Sequence, residues 1–416
     1  MRTASLGTLF LTVFLDMLAF GLVVPFLPAV ARDYGAPDFA APLIGTAFSL
    51  MQFAFVPLWG RLSDRHGRRP ILLWSVGASS VGQLLLAFSW NLPSLFLARI
   101  WSGAATANIA VAQAYIADIT TSADRARGMG LIGVAFGLGF IFGPFIGGEL
   151  GRFMILGRPG AAPALAAAFL CLVNLLMAWR FLPESLPAAR RGGVVRSLSP
   201  INTEVFRETF ALSGVAAAIG VSALVNLSFA GMEQIYALFT RDAFGWGMVN
   251  TGRVLGLVGV VAALMQGLAI RPLTATFGET WLIRGGVLVT ATGFALTGLT
   301  PSASPWAMML FASGLVAMGS SLVGPSVASY VSQRAEPGNQ GATLGVLQST
   351  AALARVFGPA LAGGLYQIIG PRQTYFALAA QLLVAAAAAL TLRPQPAASS
   401  QPAVADDGGA RHRPSF

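Results

Sequence analysis

Of the 416 residues, 55% are hydrophobic and only 10% charged, with a mean hydropathy of +0.70; soluble chains carry about 25% charged residues, so a soluble globular fold is excluded. The formal charge of +10 comes from 26 basic residues, all arginine and mostly in polar loops between apolar runs, which fits membrane topology and not nucleic-acid binding. Lysine is absent, which excludes lysine nucleophiles and Schiff bases, and the single Cys171 lies in an apolar run, which excludes intramolecular disulfides and cysteine metal clusters.

Apolar runs long enough to cross a bilayer are expected near 7–30, 41–62, 70–90, 93–118, 127–150 and 162–182. The first is too long for a signal-peptide core and is kept as a span. Spans three and four are divided only by Asn91-Leu92-Pro93. After a polar stretch, six more runs follow near 209–239, 250–270, 281–300, 305–332, 342–365 and 373–392. With the amino terminus inside, eighteen arginines fall on the cytoplasmic side and six on the other, which places both termini in the cytoplasm.

The expected architecture is all-α and membrane-integral, with about 12 spans in two six-helix halves, 1–187 and 206–393. A cytoplasmic linker, 188–205, joins them, and a Pro-, Ala- and Ser-rich tail, 394–416, is expected to be disordered. The halves repeat. Ser102-Gly103 matches Ser313-Gly314, Arg127-Gly128 matches Gln340-Gly341, and Gly143-Pro144 matches Gly358-Pro359, at offsets of 211, 213 and 215. A nearly constant offset marks duplication, and parallel six-helix repeats are one way transporters build a site between halves.

Between spans two and three lies Gly60-Arg61-Leu62-Ser63-Asp64-Arg65-His66-Gly67-Arg68-Arg69-Pro70. Gly60 and Gly67 allow a tight turn there, and Asp64 can accept hydrogen bonds from arginine or cap a helix. Such a loop either latches the cytoplasmic side or only anchors topology. In span five, Gly133 and Gly137, then Gly139, Gly143 and Gly147, fall four apart and clear strips where backbones can pack, while Pro144 can bend the helix.

Ionisable residues inside spans are costly and are functional candidates. Asp16, in span one, is the leading proton-coupling candidate, with Glu233 and Arg99 beside it in that role. Glu233 is expected near the outer surface. Arg99, Thr106 and Gln113 are spaced to share one face of span four, and Arg355 lies mid-span in span eleven without an assigned role. Asn108, Asn226, Gln234 and Gln348 either contact a substrate or bond a neighbouring helix. Nothing supports an enzyme: no nucleophile–base pair, H-E-x-x-H, G-x-S-x-G or metal cluster is present.

On the loop 60–70, on Leu95 to Ala107 running into Ala114-Tyr115-Ile116-Ala117-Asp118, on Gly139-x-x-x-Gly143-Pro144-x-x-Gly147-Gly148, and on Phe14-Leu15-Asp16 with Gly21, Pro25 and Pro28, the chain resembles the major facilitator superfamily. The likeness is to its drug:proton antiporter branch, nearest the tetracycline and multidrug efflux group, and covers residues 6–393. It implies a gating loop of Gly60, Asp64, Arg65, Gly67, Arg68, Arg69 and Asp118. Within that loop, Asp64, Arg68 and Asp118 would form a charge network that holds the outward-facing state and breaks as the halves rock. It further implies an antiporter motif of Gly139, Gly143, Pro144, Gly147 and Gly148, and an exporter in the bacterial inner membrane. Such a protein is driven by the proton gradient without cofactor or metal and acts as a monomer on a small-molecule substrate. The chain departs from tetracycline pumps where they carry further acidic residues in spans three and nine and a histidine in span eight. Here those stretches read Val81-Gly82-Gln83, Ile283-Arg284-Gly285 and Leu264-Met265-Gln266. A metal-chelated drug is therefore a poor fit, and a symporter or facilitator for a small metabolite or organic anion stands as the alternative. The second-half loop, Arg271 to Glu279, lacks the Asp and the double Arg of the first, so only the first copy is expected to act as a full latch.

Overall fold

The computed structural model describes residues 2–106, 108–120, 122–158, 160–187, 189, 191, 203–335 and 339–394. Most of the expected tail and most of the expected linker lie outside them.

Span one is α1 (Arg2–Val23), a 3₁₀ turn at Val24–Phe26, and α2 (Leu27–Asp33). Pro25 and Pro28 lack the N–H groups that would continue the α ladder, so the helix tightens there. Spans two and three, α3 (Leu43–His66) and α4 (Arg68–Ala87), meet at Gly67, whose φ of 106° needs a glycine. Span four opens on a capping box: the Asn91 side chain accepts from the Ser94 N–H, and the Ser94 hydroxyl accepts from the Asn91 N–H. It runs as α5 (Leu92–Ala105) and α6 (Asn108–Ile119), separated by an extended Thr106. Spans five and six are α7 (Ser122–Leu150) and α8 (Ala161–Phe181).

A short helix that the sequence reading passed over, α9 (Thr203–Ala211), precedes span seven. Its nine residues cannot cross a bilayer, but Phe206 and Phe210 lie one turn apart with ring centroids 6.0 Å from each other and give it an apolar face. Gly214, at φ 76°, turns the chain into α10 (Val215–Phe244). α11 (Met248–Leu264) continues through a π turn at Met265–Ala269 into α12 (Ile270–Leu299). This 52-residue helical stretch is two spans, because Gly278 breaks it at φ 75°, ψ 162°. Gly278 lies 211 residues after Gly67, so both copies of the loop turn on a positive-φ glycine. α13 (Trp306–Ser332), α14 (Gln340–Ile369) and α15 (Pro371–Leu390) complete the second set. The fold is therefore all-helical with twelve spans among the described residues. Phe169, Trp179, Leu268 and Ile368 stay more than half exposed, as lipid-facing side chains do.

Glycines set the closest helix contacts. On one face of α7, Gly139, Gly143 and Gly147 press on Met17, Gly21 and Leu22 of α1; on another, Gly148 meets Gly252 of α11, and Ile141 meets Gly259. In the second set, Gly358 of α14 packs on Gly231 of α10 as Gly143 packs on Gly21. Gly133 and Gly137 do not share in this. A methyl on Gly133 would meet nothing within 4 Å, and one on Gly137 only Ala263 at 3.9 Å, because α7 and α11 diverge towards the end that carries the loop 60–70. Gly143→Ala is expected to destabilise by about 1–3 kcal/mol, because its methyl has no room in a packed core. That methyl would lie 2.6 Å from the Gly21 Cα. Gly133→Ala is the matched control, and equal losses of melting temperature in detergent would contradict this account.

Candidate functional site

At the loop end, Arg68 is 5% exposed and each of its three guanidinium nitrogens has a partner. It pairs with Asp64 Oδ1 at 2.5 Å and donates to Asp118 Oδ2 at 3.0 Å and to Ser63 Oγ at 2.7 Å. Ser185 Oγ also donates to Asp118, at 3.1 Å. Glu184, which the sequence reading passed over, caps the start of α4: its carboxylate accepts from the backbone N–H of Arg68 at 2.8 Å and of Arg69 at 3.3 Å, and it fills the space where a Gly67 side chain would stand. Arg69 donates to the Trp179 carbonyl at 2.6 Å, while Arg65 is exposed. The structure thus brings Asp64, Arg68 and Asp118 together, but all three belong to the first six spans. Their network brackets α3, α4 and α6 and does not itself tie one set of spans to the other. Asp64→Asn is expected to slow turnover several-fold by loosening the α3–α4 corner, read as single-turnover rates in liposomes; wild-type turnover would favour a plain topology anchor.

The opposite, far end is where the sets are joined. Arg32 donates to Asp242 at 2.6 Å and also pairs with Asp38, while Arg241 donates to Asp33 at 2.6 Å. The same dipeptide, Arg-Asp, closes span one at 32–33 and span seven at 241–242, and each arginine takes the other copy's aspartate. Tyr366 Oη donates to Asp242 at 2.7 Å, Arg253 bonds Glu149 at 3.0 Å, and the Phe39 N–H donates to Gln367 at 3.1 Å. Slightly deeper, Thr46 Oγ1 donates to the Val356 carbonyl at 2.9 Å. Five of these contacts, Arg32–Asp242, Arg241–Asp33, Arg253–Glu149, Phe39–Gln367 and Thr46–Val356, run between the two sets. Towards the loop end, Gln113, Gln348 and Arg355 are solvent-accessible. The sets are thus clasped at the far end, with the Asp64–Arg68–Asp118 network formed at the other.

Between these ends lie the ionisable residues of the spans. Asp16 is 7% exposed, and among the described residues no cation pairs with it. The polar group beside it is Asn108, 1% exposed, whose amide closes no hydrogen bond of normal geometry. Asn108 opens α6 just past the break at Thr106, and the break is what lets it face α1. The same break ends the expected polar stripe, since a shared face requires one continuous helix: Arg99 is buried, Gln113 is exposed, and the Thr106 hydroxyl turns back to the Ser102 carbonyl at 2.6 Å.

Glu233 is partly exposed within α10, and it interacts electrostatically with Arg355 of α14 and Arg99 of α5. Arg99, 2% exposed, lies over the Phe48 ring at 4.2 Å and 6.0 Å from that of Phe20, with its Nε buried and without a partner. Two other candidates are occupied locally. Asn226 Nδ2 donates to the Ser222 carbonyl at 2.8 Å, and the Gln234 side chain fills the space left open by Gly45. Among the described residues, no group of three or more His, Cys, Asp or Glu could hold a metal ion.

Two sets of six spans that meet around buried charges, sealed at one end by exchangeable ion pairs, define a membrane transporter. The model of the Major Facilitator Superfamily matches residues 9–273 and 267–414, and the chain belongs to that family. It is 34% identical over 362 residues to the class C tetracycline resistance protein of Escherichia coli, covering 85% of this chain and 88% of that one. Among solved structures, the human organic anion transporter MFSD10 (TETRAN) aligns over 93% of this chain and 99% of its own, with a TM-score of 0.66 and 25% identity. A bacterial homologue of the human lysosomal transporter Spinster shares the fold at a TM-score of 0.75, with 18% identity, over 95% of this chain and 99% of that one. These relatives are transporters and not enzymes.

Proposed function

We propose that the protein is a proton-coupled exporter of amphiphilic small molecules that works by alternating access in a bacterial inner membrane, as a monomer and without cofactor. The loop end is taken as cytoplasmic on the arginine bias, and two bodies, 1–187 and 206–393, rock about the centre while 188–205 links them. The observation that carries the reading is Asp16: a carboxyl group 7% exposed within a span, with an amide and, among the described residues, no cation beside it. Holding a charge there costs several kcal/mol, so the group exchanges a proton with whichever side water reaches it from. Likeness to tetracycline resistance proteins supports export. One elementary charge moving inward through 100 mV yields about 2.3 kcal/mol, enough for a gradient of roughly 50-fold per proton.

The test is substrate-evoked proton movement in proteoliposomes under an imposed pH gradient, with lipophilic cations, tetracyclines and organic anions as the panel. Proton release on addition of one compound class supports the antiporter. Substrate movement down its own gradient with no proton signal would replace it with a facilitator, the alternative on the same fold.

A further inference from the structure

We infer that the transported molecule is an organic anion, a carboxylate or sulfonate on an apolar body, and that its charged group binds between Arg99 and Arg355 in exchange for Glu233. The inference rests on the transport reading and adds the substrate class. Arg99 is the first observation. A guanidinium group offers five donors, yet among the described residues this one, 2% exposed, makes no hydrogen bond and no ion pair. Aromatic faces are its support, Phe48 at 4.2 Å and Phe20 at 6.0 Å, and the two rings are themselves 5.6 Å apart. Stacking satisfies the face of the cation and leaves its edge, where the donors are, unused.

Arg355 is the second. It comes from the other set of spans, is solvent-accessible, and likewise makes no hydrogen bond or ion pair among the described residues. Glu233 interacts electrostatically with both arginines but lies within ion-pair distance of neither, so two guanidinium groups face one carboxylate. A bound anion matches that surplus, and a cation would add to it. Planar, bidentate recognition of a carboxylate or sulfonate is what unused guanidinium edges do well, and Phe20 and Phe48 give an apolar body a wall to lie against. Because the arginines come from different sets, the anion would bridge them, and Glu233 holds the place between turnovers.

The experiment is binding to the purified full chain in detergent, by calorimetry at fixed pH, using aryl monocarboxylates and monosulfonates against their neutral amides and quaternary ammonium analogues. Binding is expected for the anions alone. Arg355→Gln and Arg99→Gln should each weaken it about tenfold or more, the usual scale of a lost charge-assisted bond. Glu233→Gln should tighten it or leave it unchanged, because the competing carboxylate is gone. Arg355 is accessible, so Arg355→Gln decides the matter if Arg99→Gln fails to fold. Binding of the ammonium analogues that Glu233→Gln abolishes, or anion binding indifferent to Arg355→Gln, would overturn the inference. Anion binding with these dependences but no movement of any compound across liposomes would instead defeat the transport reading and leave the site standing.

Discussion

Asp16→Asn is expected to yield a folded protein with no proton-driven transport. The substitution replaces one oxygen by an amide nitrogen, keeps the volume, and takes away only the group that can lose a proton. Asn108 stands beside it and can donate to or accept from an amide as readily as a carboxyl, so the local packing has no reason to change. The melting temperature in detergent should match or exceed that of the wild type, since a neutral amide is cheaper to bury than a carboxyl that must ionise during the cycle. Proton release evoked by substrate should fall to the level of empty liposomes. Exchange of labelled for unlabelled substrate, which requires rocking but no net proton movement, should persist. Loss of both signals would mean that Asp16 serves the structure, and unchanged proton-driven uptake would remove it from the mechanism.

How far the sequence carried depends on the kind of signal each feature leaves. Spans leave a strong one, because about 20 residues of hydrocarbon thickness impose length and composition directly. The corner between spans three and four was legible as Asn91-Leu92-Pro93, and the loop's Gly67 as a tight turn. The break in span four was not: Thr106 and Ala107 include neither Pro nor Gly, so nothing in the sequence there marks the extended Thr106. The charge cluster was legible as three separate residues and not as one site. Arg99, Glu233 and Arg355 come from three spans and are far apart in the chain, so their meeting is a fact of helix packing. Glu233 in particular reads as peripheral by its place in span seven, and its interaction with arginines on two other spans leaves no mark in the chain order. The far-end clasp was in plain view. Arg32-Asp33 and Arg241-Asp242 lie 209 residues apart, beside the 211 to 215 of the other repeats, but arginines weighed only as topology markers conceal what they pair with.

That clasp carries the second large expectation: Arg32→Asp should open the far end and depopulate the state seen here. The change sets an aspartate against Asp242 and Asp38 in place of the guanidinium that binds both, and it leaves Arg241–Asp33 to hold the seal alone. Single exposed ion pairs contribute only about 0.2–1 kcal/mol. Here two reciprocal pairs share a corner, the Arg32 and Asp242 side chains are only 22% and 29% exposed, and reversal replaces attraction by repulsion. A shift of about 2 kcal/mol is expected, roughly 30-fold in the ratio of closed to open. Ionic closure also explains why the seal can be reversible: on opening, each charge returns to water, whereas an apolar seal would expose surface that water does not reward. The measurement is the distance distribution between spin labels at Met154 and Ser304, exposed far-end positions of the two sets, with Cys171 replaced by Ala. Arg32→Asp should lengthen it, and adding Asp242→Arg should restore most of the short-distance population, although Tyr366 then loses its acceptor. High salt should act in the same direction as the single reversal, but more weakly. A distribution unmoved by Arg32→Asp would place the closing force in the backbone contacts of α7 with α11 and of α3 with α14, and reduce the clasp to decoration on a seal made by packing.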